Sequence, residues 1–193
     1  MDAAPRVLFT ECEYLDRENA SETKHEFING EIVTRAGSIP AHAQLAANVI
    51  SALGQRLRGG PCRVFTSDLR VNVADTGMYT YPDVTVLCGP TELRPGDSNT
   101  VRNPTLLVEV LSAATELHDR GAKWAHYRHL ASLKEYLLVS QDSRHVEHFR
   151  RVETGWLLTE YDAGAAMPLP ALGIEVPVAE IYEGVELVSM PVN

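Results

Sequence analysis

The chain has 193 residues, 45% of them hydrophobic, which is enough for one well-buried core and too few for two large domains. Its formal net charge of -9 argues against a surface coated in phosphate contacts, since nucleic-acid binders usually display a basic face. No apolar stretch approaches the roughly 20 residues that cross a bilayer, and the opening MDAAPRVLFTECEY lacks the basic-then-apolar order of a secretory signal.

The charge is unevenly spread. Residues 119–151 hold Arg120, Lys123, Arg128, Lys134, Arg144, Arg150 and Arg151 against four acids, whereas residues 152–193 hold seven acids and no Lys or Arg. A local basic surface beside an acidic tail is compatible with that distribution, as are ordinary solvated faces. Cys12, Cys62 and Cys88 are odd in number and form no CxxC pair. They argue against a disulfide framework and a zinc knuckle, and for a cytoplasmic, reduced protein.

Taken in chain order, Thr10 followed by Glu13 has capping-box spacing and opens a short helix, ECEYLDREN. In HEFINGEIV, Asn29-Gly30 between apolar strand residues predicts a hairpin with a type I′ turn, placing Glu26 on its first strand. Residues 40–58 put Leu45, Val49, Ala52, Leu53 and Leu57 at helical spacing, and Gly59-Gly60-Pro61 ends the pattern. Strands follow at CRVFTS, LRVNV, YPDVTVLC and PTLLVEVL, with ADTGMYT read as a turn and GPTELRPGDSNTVRNP as a mobile surface loop.

Beyond these, Asp119 is placed to cap a helix running to about Leu130, with Leu117, Trp124, Tyr127 and Leu130 as its apolar contacts. KEYLLVS, RHVEHFRR and GWLLTEY alternate as an antiparallel meander. LPALGIEVPVAEIYEGV reads as a strand and a short helix with Pro177 as first helical residue. Helices on a mixed β-sheet, with antiparallel hairpins at both ends, give an α/β or α+β core in a single domain.

Two residues break the apolar pattern. Asp83 lies in YPDVTVLC and Glu109 in PTLLVEVL, and an ionised side chain in a buried strand is costly unless paired or metal-bound. Lys123 follows in the next polar segment. Two carboxylates and a cation in that order are what phosphodiester hydrolysis asks for: a cation bridging the phosphate, a water of lowered pKa, and a positive group against developing charge.

Duller readings stand beside this one. Asp83 can open a strand as a turn residue, Glu26 can pair across the hairpin with Lys24 or Arg35, and Lys123 can pair with Asp119 on a solvated helix face. His42, near the start of its helix, either reaches the site or caps the helix. The other six histidines share no metal-ligand spacing.

YPDVTVL, PTLLVEVLS and DRGAKWAHYRHLASLKEYLLVSQ, preceded by KHEFINGEIV and an Ala-His-rich helix, resemble the Uma-type endonucleases of the restriction-endonuclease-like PD-(D/E)XK superfamily. The resemblance covers roughly residues 10–183. It implies a restriction-endonuclease-like core and hydrolysis of nucleic acid, DNA above RNA, with Mg²⁺ as cofactor and Mn²⁺ as its substitute. It makes Asp83 and Glu109 metal ligands together with the Val110 carbonyl, and gives Glu26 an assisting role. Leu111 stands where the orthodox motif has lysine, so the resemblance assigns that role to Lys123 on the following helix. Homodimers are frequent in the superfamily. A non-catalytic interaction module with a residual polar cluster is the alternative.

Overall fold

A computed structural model describes residues 7–35 and 37–187. The capping box forms as read: the Thr10 side chain accepts from the Glu13 amide and Glu13 returns a bond to the Thr10 amide, opening α1 (Glu11–Asn19). β1 (His25–Ile28) and β2 (Glu31–Thr34) make the hairpin, with Asn29 at φ 52° and Gly30 at φ 83°. Both central positions are left-handed, as a type I′ turn requires. α2 (Pro40–Leu57) has proline in its first turn and buries Leu45, Val49, Ala52, Leu53 and Leu57 along one stripe.

Then come β3 (Cys62–Thr66), β4 (Arg70–Val73), β5 (Met78–Thr80), β6 (Val84–Cys88), β7 (Thr100–Val101) and β8 (Leu106–Val110). A π-helical turn at His118–Lys123 runs directly into α3 (Trp124–Tyr127). The meander is β9 (Glu135–Val139), β10 (His145–Val152) and β11 (Gly155–Asp162), followed by the hairpin of β12 (Ala166–Leu169) with β13 (Ile174–Pro177) and by α4 (Val178–Ile181).

The strands form a five-stranded sheet, β2-β1-β5-β4-β7, a six-stranded sheet, β11-β10-β9-β8-β6-β3, and the β12-β13 ribbon. Each large sheet is mixed, with one parallel pair, β4 with β7 and β8 with β9. Strand alternation divides the core. Along β8, Leu106, Val108 and Val110 pack with Leu45, Val49 and Leu53 of α2 and with α4. Leu107 and Leu111 face the other way, onto Val71, Val73 and Met78 of the smaller sheet and Tyr127 of α3. A third cluster, Tyr14, Leu15, Phe27 and Tyr79, fixes α1 on the far side of the smaller sheet. Truncating Leu53, 1% exposed, to alanine should cost about 2–5 kcal/mol.

Several local expectations are corrected. Met78–Thr80 is a strand, so the turn is confined to the residues before it. Its three residues are too few to show a period, and they are ordered by pairing with β1 and β4. The segment read as a mobile loop contains β7 and a fully buried Thr100, which accepts from the Arg70 guanidinium at 2.6 Å. Pro177 is the residue before α4 rather than its first member. Leu117 is 90% exposed instead of packed.

Cys62 and Cys88 form a disulfide, against the expectation of reduced thiols. The β3–β6 register sets these two residues directly opposite each other. Among the described residues, no helix is long and apolar enough to cross a membrane.

Candidate active site

β6 and β8 pair antiparallel with Val84 opposite Val108. Continued by one residue, that register brings Asp83 opposite Glu109. Asp83 stands at the bend just before β6 rather than within it. There its Oδ2 accepts the Val110 amide at 2.8 Å, while its Oδ1 takes an ion pair from Arg35 and lies 3.2 Å from His42 Nε2. A strand mouth is the right place for this side chain, because three donors from three elements satisfy a group that is only 5% exposed.

Lys123, 5% exposed, sits among three carboxylates. Its Nζ lies 3.1 Å from Glu26 Oε1, 3.2 Å from Glu109 Oε1 and 3.1 Å from Asp119 Oδ1. Asp119 is therefore not a helix cap. It is a buried residue of the π-turn, one helical step from Lys123, and such turns recur at functional sites. Glu26 comes from β1 of the smaller sheet and accepts from Thr80 Oγ1 at 2.7 Å; His118 Nε2 is 4.0 Å from its other oxygen. Tyr127 of α3 donates its hydroxyl to Glu109 Oε1 at 2.7 Å. Both donors to Glu109 thus meet Oε1, and among the described residues none meets Oε2.

Burial sets the electrostatics. It raises the Glu109 carboxyl, the neighbouring Asp119, Asp83 and Glu26 carboxylates add to that against the Lys123 charge, and the group is pushed up to about 8. Burial opposes the charged forms of Glu26 and Asp83 as well, but their donors win. Lys123 and Thr80 hold Glu26 below the usual range, and His42, Arg35 and the Val110 amide do the same for Asp83. For Lys123 the surrounding carboxylates outweigh desolvation and keep the ammonium charged.

The donor chemistry suits a hard divalent cation, which prefers carboxylate and carbonyl oxygens. Four buried carboxylates, Glu26, Asp83, Glu109 and Asp119, face two fixed cations, Arg35 and Lys123. Fully ionised, the cluster has two negative charges in excess over Arg35 and Lys123, and burial of Glu109 beside the other carboxylates favours its neutral form. Among the described residues no three His, Cys, Asp or Glu side chains make a metal cage.

All four residues singled out from the sequence, Glu26, Asp83, Glu109 and Lys123, meet in this one cluster, and His42 reaches it too. Arg35, Thr80, Asp119 and Tyr127 are the members whose roles the sequence hid. Arg35 and Asp119 had been named, but as surface-type pairing partners, and Tyr127 as core. The spacing of Asp119 and Lys123 was the available signal. Trp124 and Tyr136 are core: their rings stack at 5.4 Å.

Comparison with known proteins gives three findings. A family with the description "Putative restriction endonuclease", Uma2, matches residues 12–179. Two uncharacterised proteins of Synechocystis sp. are similar over most of their length. One, slr1290, is 34% identical over 94% of this chain and 95% of its own; the other, sll1609, is 37% identical over 83% and 91%. The crystal structure of a "putative nuclease belonging to DUF820" from Anabaena variabilis superposes with a TM-score of 0.74 at 18% identity, covering 90% of this chain and 97% of that one. That likeness bears on the fold, and it agrees with the restriction-endonuclease-like core and mixed sheets expected from the sequence.

Proposed function

The chain belongs to the Uma2 restriction-endonuclease family, and from that premise we propose that it is a Mg²⁺-dependent endonuclease that hydrolyses phosphodiester bonds of DNA. The observation that carries this reading is the charge excess of the buried cluster. A protein built only for stability gains nothing by burying four carboxylates around two cations, since an uncompensated buried charge costs several kcal/mol. A site that receives a divalent ion needs that excess.

In this reading Asp83, Glu109 and the Val110 carbonyl hold the ion, and Mn²⁺ substitutes for Mg²⁺. Bound there, it supplies Lewis-acid polarisation of the phosphate and a water of lowered pKa. Arg35 and His42 fix the Asp83 carboxylate from one side, with the Val110 amide on the other, so that its oxygens need little reorganisation. Tyr127 fixes Glu109 in the same way. Lys123, held charged between Glu26 and Glu109, positions the attacking water and offsets the negative charge that grows on phosphorus. Its four-carbon stem lets it do this from a helix instead of the strand position after Glu109. Glu26 orients that ammonium from the facing sheet.

The test incubates purified protein with double-stranded and single-stranded DNA and with RNA, in Mg²⁺ or Mn²⁺, beside Asp83→Ala and Glu109→Ala. Cleavage of DNA by the native chain and its loss in both variants is the expected result. Cleavage that survives both substitutions would remove this site from the chemistry.

A further inference from the structure

Among the described residues, Arg35 is the cation at the candidate active site with donors to spare. Its guanidinium gives one N–H to Asp83 Oδ1 and one to the Tyr81 carbonyl, and a guanidinium carries five such donors. The Nε–H and one N–H on each terminal nitrogen meet no acceptor among the described residues. Lys123 is placed otherwise: its side chain is 7% exposed and sits among three carboxylates, whereas that of Arg35 is 22% exposed. Arg120 is taken up by Glu116 and Glu147, and His42 turns Nε2 toward Asp83.

The surroundings of Arg35 are open. It follows β2, the edge strand of the five-stranded sheet. Val33, opposite Glu26 and so on the same side of that sheet, is 43% exposed, and Ile39, just ahead of α2, is 44% exposed. The two bonds already made set the plane of the guanidinium, so its other N–H groups are held in a fixed direction. Charge points the same way. Four carboxylates, Arg35, Lys123 and one divalent ion balance, and a phosphodiester then adds a negative charge that donors on the protein must meet.

We propose that Arg35 is a phosphate-binding residue of this site: anchored on Asp83 and on the Tyr81 carbonyl, it takes a non-bridging oxygen of the substrate backbone on its other N–H groups. The inference rests on the nuclease reading and adds to it a direct contact with the substrate. Arg35 then ties the Asp83 carboxylate and the phosphate into one arrangement. The contact carries no base identity, since it reads the backbone alone. Lysine cannot replace it fully, because an ammonium lacks the planar fork that serves all these acceptors together.

Fluorescence anisotropy of a labelled DNA duplex over a range of salt tests it, in Ca²⁺ in place of Mg²⁺ to hold binding apart from cleavage. Mn²⁺ calorimetry and thermal unfolding accompany each variant. Arg35→Gln should weaken DNA binding at least about tenfold and lower the salt slope by about 1, while Mn²⁺ binds no more weakly than to the native chain, because a positive charge beside Asp83 is gone. Arg35→Lys, which keeps that charge and with it the fold, should keep the native salt slope and still bind DNA several-fold more weakly. Arg58→Gln, at an exposed position on the far end of α2, should match the native protein. An Arg35→Gln variant that loses Mn²⁺ affinity and keeps the native salt slope would show a counter-ion of Asp83 only, and would overturn the proposal. An equal loss in Arg58→Gln, or an Arg35→Lys variant of native affinity, would overturn it too. A native chain that binds no DNA overturns the nuclease reading and this inference together, whereas DNA binding of native strength by Arg35→Gln overturns this inference alone.

Discussion

The five-stranded sheet carries a buried polar network on each face, and the two are balanced differently. Behind it, Arg70 donates to Thr100, to Asn19 and to Asp97, which it meets at 2.7 Å, while Glu18 accepts from Tyr81 and from His25. Burial works against the Asp97 carboxylate there, but Thr100, the Asn99 amide and Arg70 hold it ionised below the usual range. In front of the sheet, Lys123 serves three carboxylates at once and Glu109 is pushed up instead. Depth of burial is similar in both. What separates them is charge: behind the sheet two carboxylates, Glu18 and Asp97, face Arg70 with His25 beside them, whereas in front four carboxylates face Lys123 and Arg35 with His42 beside them, so the excess is larger in front. A network nearer to balance fixes a structure, and one with the larger excess has more to gain from an added cation.

That contrast can be broken by substitutions. Arg70→Ala strands Asp97 and should be the most destabilising, by about 3–5 kcal/mol, at any pH where Asp97 is ionised; denaturant unfolding measures it, and metal should not restore it. Lys123→Ala should cost about 3 kcal/mol at pH 8 and visibly less at pH 6, because Glu109 can take up a proton there. Equal losses at both pH values would show that the front network is not short of positive charge.

The pH dependence of the metal-free protein follows next in size. Glu109 titrates higher in the folded chain than in the unfolded one, so its contribution to stability is full below about 4.5 and is lost as pH rises through about 8. The stability of the native chain should therefore fall across that window, and Glu109→Gln should flatten the profile. Mg²⁺ should raise the melting temperature more at pH 8 than at pH 6, where it must displace a proton. The smallest effect belongs to the α1 cap. Thr10→Ala removes the bond to the Glu13 amide and should cost about 1 kcal/mol without changing metal binding, since α1 supports only the rear network.

The same division explains what was legible in the sequence. The Asn29-Gly30 hairpin, α2 and the meander are local, so composition and period announce them. Asp83 and Glu109 stood out because a charge in an apolar run is costly unless it is paired or metal-bound. Arg35 and Tyr127 did not, since an arginine after a strand and a tyrosine in a helix are ordinary until long-range register brings them to the carboxylates. β5 and β7, three and two residues long, exist only through distant pairing. The Cys62–Cys88 bond likewise depends on a register that cysteine counting does not see. Lys123 lay between these cases: its spacing from Asp119 was visible, and its burial among three carboxylates was not.

Calorimetric titration of the metal-free protein with Mn²⁺ tests the central claim most directly. An unmatched carboxylate cluster predicts one ion bound per chain with proton release near pH 7, and loss of that site in both Asp83→Asn and Glu109→Gln, which leave the fold intact. Binding that is absent from the native chain, or unchanged in the two variants, would contradict it.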